Sequence, residues 1–333
     1  MLAGIAGRRP AVAAVAGAAC ISSSAVVMQL AGSSASMTAL ARCGFALPVL
    51  GVLGWLERRH GAAPMTARGR WLARAAGVFL AGDLILWSHS IADIGAGLGT
   101  VVTNLQVVLV ALLAWAVAGE RPRRSILAAM PVMLAGLILV GGLAGTSRYG
   151  AHPVAGVLLG LGVAVLYTAY IFMLRQAASG PVPAGAGRPP VVAPLLQATI
   201  GATAGSAVLG LVLRDFRLGP AWPALGWLVL LALTSQVLGW LLITISMPRL
   251  SAWLVSALLL VQPAGSLTLG AVFLGERPSP LQFAGVAVIL AGVLVAARKP
   301  GPGGQPGRSQ APGRRTEEGT PRTLMQQENS SGQ

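Results

Sequence analysis

The sequence predicts an all-α integral membrane protein of about ten transmembrane helices, arranged as two inverted five-helix repeats. Three observations carry that expectation. Of 333 residues, 55% are hydrophobic and only 10% are charged, against roughly 25% charged residues in an ordinary soluble domain. Apolar runs of about 20 residues recur along nearly the whole chain, each long enough to cross roughly 30 Å of hydrocarbon. A segment of the first half returns in the second half at a constant offset.

The expected spans lie at 10–31, 36–56, 72–92, 97–118, 125–143, 153–174, 191–213, 222–246, 251–274 and 280–297. Arg8 and Arg9 ahead of the first run imitate a signal peptide, and Gly17-Ala18-Ala19-Cys20 weakly resembles a lipoprotein cleavage box. The leucine that should open that box is missing and many spans follow, so the first run reads as an uncleaved helix. The stretch from Gly180 to Pro190 is rich in Gly, Pro and Ala and reads as the linker between the sixth and seventh helices. Residues 298–333 are dominated by Gly, Pro, Gln, Ser and Arg. Such a segment has too little apolar surface to fold, and a disordered basic cytoplasmic tail is expected. The domain reading is therefore 1–150 for the first repeat, 151–297 for the second and 298–333 for the tail.

The net charge of +15 does not point to nucleic acid, because the basic residues sit in short loops and in the tail. With the N-terminus inside, 19 Arg and Lys fall on the inner side and 4 on the outer. Without the tail the ratio is still 13 to 4. That asymmetry places both termini in the cytoplasm and requires an even number of spans. The only lysine is Lys299, a bias toward Arg that fits a GC-rich bacterial genome; the expected location is the plasma membrane. Cys20 and Cys43 both lie inside apolar runs and are expected as free thiols.

The repeat is the sharpest organisational signal. Residues 119–140 read GERPRRSILAAMPVMLAGLILV and residues 275–296 read GERPSPLQFAGVAVILAGVLVA. At an offset of 156, 9 of 22 positions are identical, and upstream Gln106 falls on Gln262. Five spans per unit invert the second copy relative to the first. Inverted repeats are a recurring plan of secondary transporters, with the solute site near the midplane.

The motifs Gly119-Glu120-Arg121-Pro122 and Gly275-Glu276-Arg277-Pro278, each followed by a span with Leu-Ala-Gly (134–136 and 290–292), together with Arg42 and Pro263, resemble the drug/metabolite transporter superfamily, EamA type. The resemblance covers about residues 10–297. It implies ten helices, two inverted repeats and transport of small metabolites or drugs. The first repeat departs at one position, where Val107 stands in place of Pro263.

Charges inside a bilayer are costly, so each is a functional candidate. Asp83 sits halfway through the third span and is the only carboxylate near the midplane. It is read either as a proton carrier or binder of a cationic group, or as the structural partner of Arg42. Arg42 is read either as the holder of an anionic group or as a salt-bridge or snorkelling residue. His89 and Asp93 share one helical face, suited to proton coupling or to a plain hydrogen bond. Asn104, Gln106, Tyr167, Tyr170, Gln236 and Gln262, with Ser22, Gln29 and Gln197, are candidates for a polar cavity; polar residues also hold membrane helices together. Trp87 and Trp240 are candidates for an aromatic wall. Glu120 and Glu276 read as structural turn residues that accept amides at the next helix N-terminus.

No catalytic constellation is present. His60, His89 and His152 lie on separate segments, and no Gly-x-x-x-x-Gly-Lys loop occurs, so neither an enzyme, a metal site nor a cofactor is expected. The expected function is a secondary transporter moving a small metabolite or drug by alternating access, with proton-coupled export as one mode. Its rival is a non-transporting membrane scaffold or an intramembrane enzyme. Expected partners are a small-molecule substrate and the lipid bilayer, with a homodimer as an open option.

Overall fold

Proline opens three of the helices, at Pro10, Pro153 and Pro280. It fits the first turn because the N–H it lacks would have no intrahelical partner there. The computed structural model describes residues 9–104, 106–119, 124–140, 152–180, 182, 185–217, 222–273 and 280–297. Its helices are α1 (Pro10–Ser22), α2 (Ser24–Ala31), α3 (Ala35–Arg59), α4 (Ala67–Thr103), α5 (Gln106–Ala118), α6 (Arg124–Val140), α7 (Pro153–Ala178), α8 (Val192–Leu213), α9 (Ala224–Leu231), a π-helix (Ala232–Gly239), α10 (Trp240–Ser246), α11 (Ala252–Leu258), α12 (Val261–Phe273) and α13 (Pro280–Ala297). Among the described residues the one β feature is an isolated bridge between Ala62 and Arg188. Among the described residues, six stretches are long and apolar enough to cross a membrane: Pro10–Met28, Ala35–Arg59, Ala67–Ser90, Val154–Ala178, Val192–Leu213 and Ala224–Arg249. The expected tail at 298–333 and the turn residues Glu120 and Glu276 lie outside the described residues.

The run α4 is not a straight rod. Ser90 and Val102 both touch Gly160 of α7, although twelve residues of straight helix would separate them by about 18 Å. The Ser90 hydroxyl also bonds the Gly156 carbonyl at 2.9 Å. The chain therefore bends back between residues 90 and 102, which separates the expected third and fourth spans. The fourth expected span, 97–118, is interrupted: α4 ends at Thr103 and α5 begins at Gln106. The ninth is interrupted at the same level, with α11 ending at Leu258 and α12 beginning at Val261. Pro263 sits in the first turn of α12, where proline is harmless. The first repeat makes its break without a proline, the Val107 amide donating to the Asn104 carbonyl at 3.1 Å.

Equivalent helices of the two repeats pack on each other. In the α6–α13 pair, a methyl group at Gly136 would lie 2.9 Å from both the Gly285 carbonyl oxygen and Ile289 Cγ1. The equivalent Gly292 faces Met133, and Met133 and Ile289 are themselves 156 residues apart. The shared Leu-Ala-Gly is thus a reciprocal socket: each repeat's glycine receives the other's bulky, fully buried side chain. The shared Gly119 has φ +64, the left-handed region that favours glycine at a helix C-terminus.

The second pair, α3 and α8, runs antiparallel. Near one end the Glu57 carboxylate accepts the amides of Val191, Val192 and Ala193. At the other, Asp215 Oδ2 accepts the Ser36 amide at 3.2 Å, and the Ser34 hydroxyl donates to the Asp215 carbonyl at 2.7 Å. Beside Glu57 the flanking loops are joined by Arg188 N–H to Gly61 O (3.0 Å) and Ala63 N–H to Arg188 O (2.8 Å). Helix α8 also lies against α4 backbone to backbone, Gly77 on the Ala198 carbonyl and Gly201 on the Arg74 carbonyl. A third close crossing places Gly17 of α1 on Gly239, where a methyl would sit 2.6 Å from the carbonyl oxygen. These crossings surround a core of Leu50, Leu80, Ile85, Ile171, Leu174 and Leu195.

Candidate functional site

Arg42 projects from α3 and Asp83 from α4 into the same buried region, at 3% and 6% exposure. They face each other within electrostatic range, together with Tyr167 and Tyr170 of α7. The structural alternative, a direct Arg42–Asp83 bridge, is not what organises them. Arg42 Nε instead donates to Gln236 Oε1 at 3.2 Å. Gln236 Nε2 in turn donates to Thr199 Oγ1 of α8 at 3.2 Å. Asp83 Oδ1 is buried with no hydrogen-bond partner.

Three aromatic rings form one wall of this region. Tyr170 meets Trp240 edge-on with centroids 4.7 Å apart, and Tyr167 lies 6.0 Å from each of the other two. These are favourable offset geometries for aromatic rings. Their polar atoms are nevertheless unsatisfied. Tyr167 Oη, Tyr170 Oη and Trp240 Nε1 have no hydrogen-bond partner, and neither does Gln262 Nε2. Gln262 lies beside the Tyr167 hydroxyl without forming a bond of good geometry. Each buried, unsatisfied polar atom costs about 1–3 kcal/mol, and such groups are few in native proteins. Here five of them, counting Asp83 Oδ1, belong to one cluster between the two repeats. Gln262 also lies in the first turn of α12, its own amide donating to the Leu259 carbonyl at 2.9 Å.

The π-helix supplies Gln236. A helix of i to i+5 hydrogen bonds is rare and frequent at functional sites. It is pinned on both sides of Gln236: Ser235 accepts from the Ser24 hydroxyl at 2.8 Å, and Gly239 packs on Gly17.

Of the sequence candidates, the structure brings together Arg42, Asp83, Tyr167, Tyr170, Gln236 and Gln262, with Trp240. Asn104 and Gln106 are buried at the α4–α5 break. Trp87 is half-buried and His89 is exposed, so His89 stands apart from the cluster. Gln197 accepts from Arg74 Nε at 2.7 Å and serves the α4–α8 contact. The side chain of Gln29 lies outside the described residues. Cys20 and Cys43 are free thiols, as expected. Thr199 and Glu57 escaped the sequence reading, Thr199 being one polar residue among several in an apolar run.

The long apolar helices and the repeated halves mark a helical membrane protein, and the family match makes it a membrane transporter. The chain belongs to the EamA-like transporter family, whose model matches residues 8–142 and again 154–298. That family consists of transporters, not enzymes. A protein known from its crystal structure superposes on 86% of this chain and 96% of its own length, with a TM-score of 0.69 and 20% identity; at that identity the match speaks for the fold. No curated protein matches the sequence.

Proposed function

We propose that this chain is a secondary transporter of ten spans in two inverted repeats, working by alternating access, with the Arg42–Asp83 cluster as its solute and coupling site. One observation carries the reading: buried polar atoms without partners on Asp83, Tyr167 and Tyr170 lie within electrostatic range of one guanidinium, and two more, on Trp240 and Gln262, belong to residues that adjoin those tyrosines. A solute with hydrogen-bonding groups would complete them, and the opposite charges of Arg42 and Asp83 suit one that carries both an anionic and a cationic group. Support for inversion comes from α3 and α8, equivalent at the 156-residue offset and antiparallel to each other. The arginine count favours both termini in the cytoplasm of a bacterial cell.

The test is uptake into inside-out and right-side-out membrane vesicles of a labelled panel of amines, carboxylates and zwitterions, with and without a pH gradient. The expected result is chain-dependent flux of at least one zwitterion or carboxylate, lost in Arg42→Ala. Flux of none of the panel, from well-inserted protein, would sink the reading.

A further inference from the structure

We propose that Thr199 and Gln236 are positioning residues: they hold the Arg42 guanidinium by its Nε through a neutral amide and leave its terminal nitrogens for an anionic group of the solute. The inference rests on the reading of this cluster as the solute site.

Three features support it. The first is direction. Arginine Nε only donates, so Gln236 must turn Oε1 toward it, as it does at 3.2 Å. A glutamine amide can reverse about its last bond, and Arg42 Nε, a donor only, selects the sense. Thr199 Oγ1 accepts from Nε2 at 3.2 Å and so holds the other side of the amide in place. Thr199 is itself stiff, being β-branched and fully buried.

The second is charge. The group on Nε is a neutral amide. A carboxylate there would form a buried ion pair and cancel the field of Arg42 where an anion would bind. Asp83, the carboxylate of the cluster, keeps Oδ1 unpartnered. Hence the side chain that tethers Arg42 is not the one that balances it.

The third is rigidity. Gln236 lies within the π-helix, whose neighbouring residues are fixed by the Ser24–Ser235 hydrogen bond and the Gly17–Gly239 crossing. A tether can position a guanidinium only if it does not move with it.

The experiment uses full-length protein labelled with ¹⁵N-arginine in lipid nanodiscs. Arg42 signals are assigned by their loss in Arg42→Lys, and acetate is the probe anion. In wild-type protein and in Thr199→Ser, which keeps the hydroxyl, the Arg42 Nε–H should exchange slowly and acetate should shift the terminal nitrogens with one midpoint. In Thr199→Val, which keeps the shape, Nε–H exchange should quicken and the midpoint should rise about tenfold. Gln236→Glu should keep the Nε hydrogen bond and abolish the acetate response. The proposal is overturned by a wild-type response in Thr199→Val, by an undiminished response in Gln236→Glu, or by the absence of any response in wild-type protein. If Thr199→Val does not fold, Gln236→Glu carries the test alone. A chain that moves no solute in vesicles yet gives the expected shifts would sink the transport reading and leave the tether standing.

Discussion

Glu57 holds the amide of Val192 with both carboxylate oxygens, at 3.1 and 3.0 Å. The two residues belong to different repeats, so the C-terminal end of α3 caps the N-terminal end of α8. Asp215, just beyond α8, returns the favour at Ser36, and positions 36 and 192 are related by the repeat offset. A negative charge at a helix N-terminus is favoured by the amides it satisfies and by the helix dipole. Glu57→Ala should lower the unfolding free energy by about 1–2 kcal/mol, and Asp215→Ala by about 1 kcal/mol. The two sites lie a helix length apart, so their effects should add within about 0.5 kcal/mol. Denaturant unfolding in micelles checks this; a Glu57→Ala protein as stable as wild type would remove the cap from the account.

The two Leu-Ala-Gly copies are alike in sequence but not in what they touch. A methyl at Gly136 meets backbone, the Gly285 carbonyl oxygen at 2.9 Å and the Ile289 nitrogen at 3.0 Å. A methyl at Gly292 meets the Met133 side chain, at Cγ rather than at its far end, but an unbranched side chain can turn about its first bond where backbone cannot. Overpacking costs roughly 1–3 kcal/mol. Gly136→Ala should fall at the upper end of that range and Gly292→Ala at the lower. Thermal melts of the two single variants decide it, and equal losses would show that the socket is symmetric in energy as well as in sequence.

What could be read beforehand follows from locality. The sockets were visible as a recurring motif because the chain repeats them at one offset. Arg42 and Asp83 were visible because charge is rare inside apolar runs. Thr199 was not visible, since its role exists only once α3, α8 and the π-helix are neighbours. Glu57 was hidden among Arg58 and Arg59, where an acid reads as an ordinary loop residue. The π-helix was invisible for the same kind of reason: residues 222–246 read as one apolar run, and its widened turn is fixed by contacts with α1 at Gly17 and Ser24. Boundary errors fell at α4 and α5, where Ser90 and Val102 both pack on Gly160 of α7, and at the break between α11 and α12.

Orientation is testable without a solute. The arginine asymmetry predicts that a reporter fused after Ala297 reads as cytoplasmic, as does one inserted in the Gly61–Thr66 loop. Alkaline phosphatase, active only outside the cytoplasm, should be silent at both positions, and a β-galactosidase fusion active. Opposite signs at the two positions would mean an odd number of crossings between them and would end the ten-span topology.

Asp83 offers the sharpest test of coupling. Its Oδ1 has no partner, and Arg42 is tied to Gln236 rather than to it. A carboxylate kept free in a membrane interior is expensive unless it is used. If it carries the proton, its charge must change as the cluster is exposed to each side in turn. Asp83→Asn keeps the shape and removes that charge. The variant should insert and fold normally, keep solute exchange across vesicles without a gradient, and lose accumulation driven by a pH gradient, with a flat pH profile. If Asp83 instead serves only to balance Arg42, Asp83→Asn should melt at a lower temperature, and adding Arg42→Gln should restore it, because breaking one partner of a buried charge pair costs more than removing both. Vesicle flux across a range of pH for the single and double variants separates the two outcomes. A well-folded Asp83→Asn protein with the wild-type pH profile would end the coupling role.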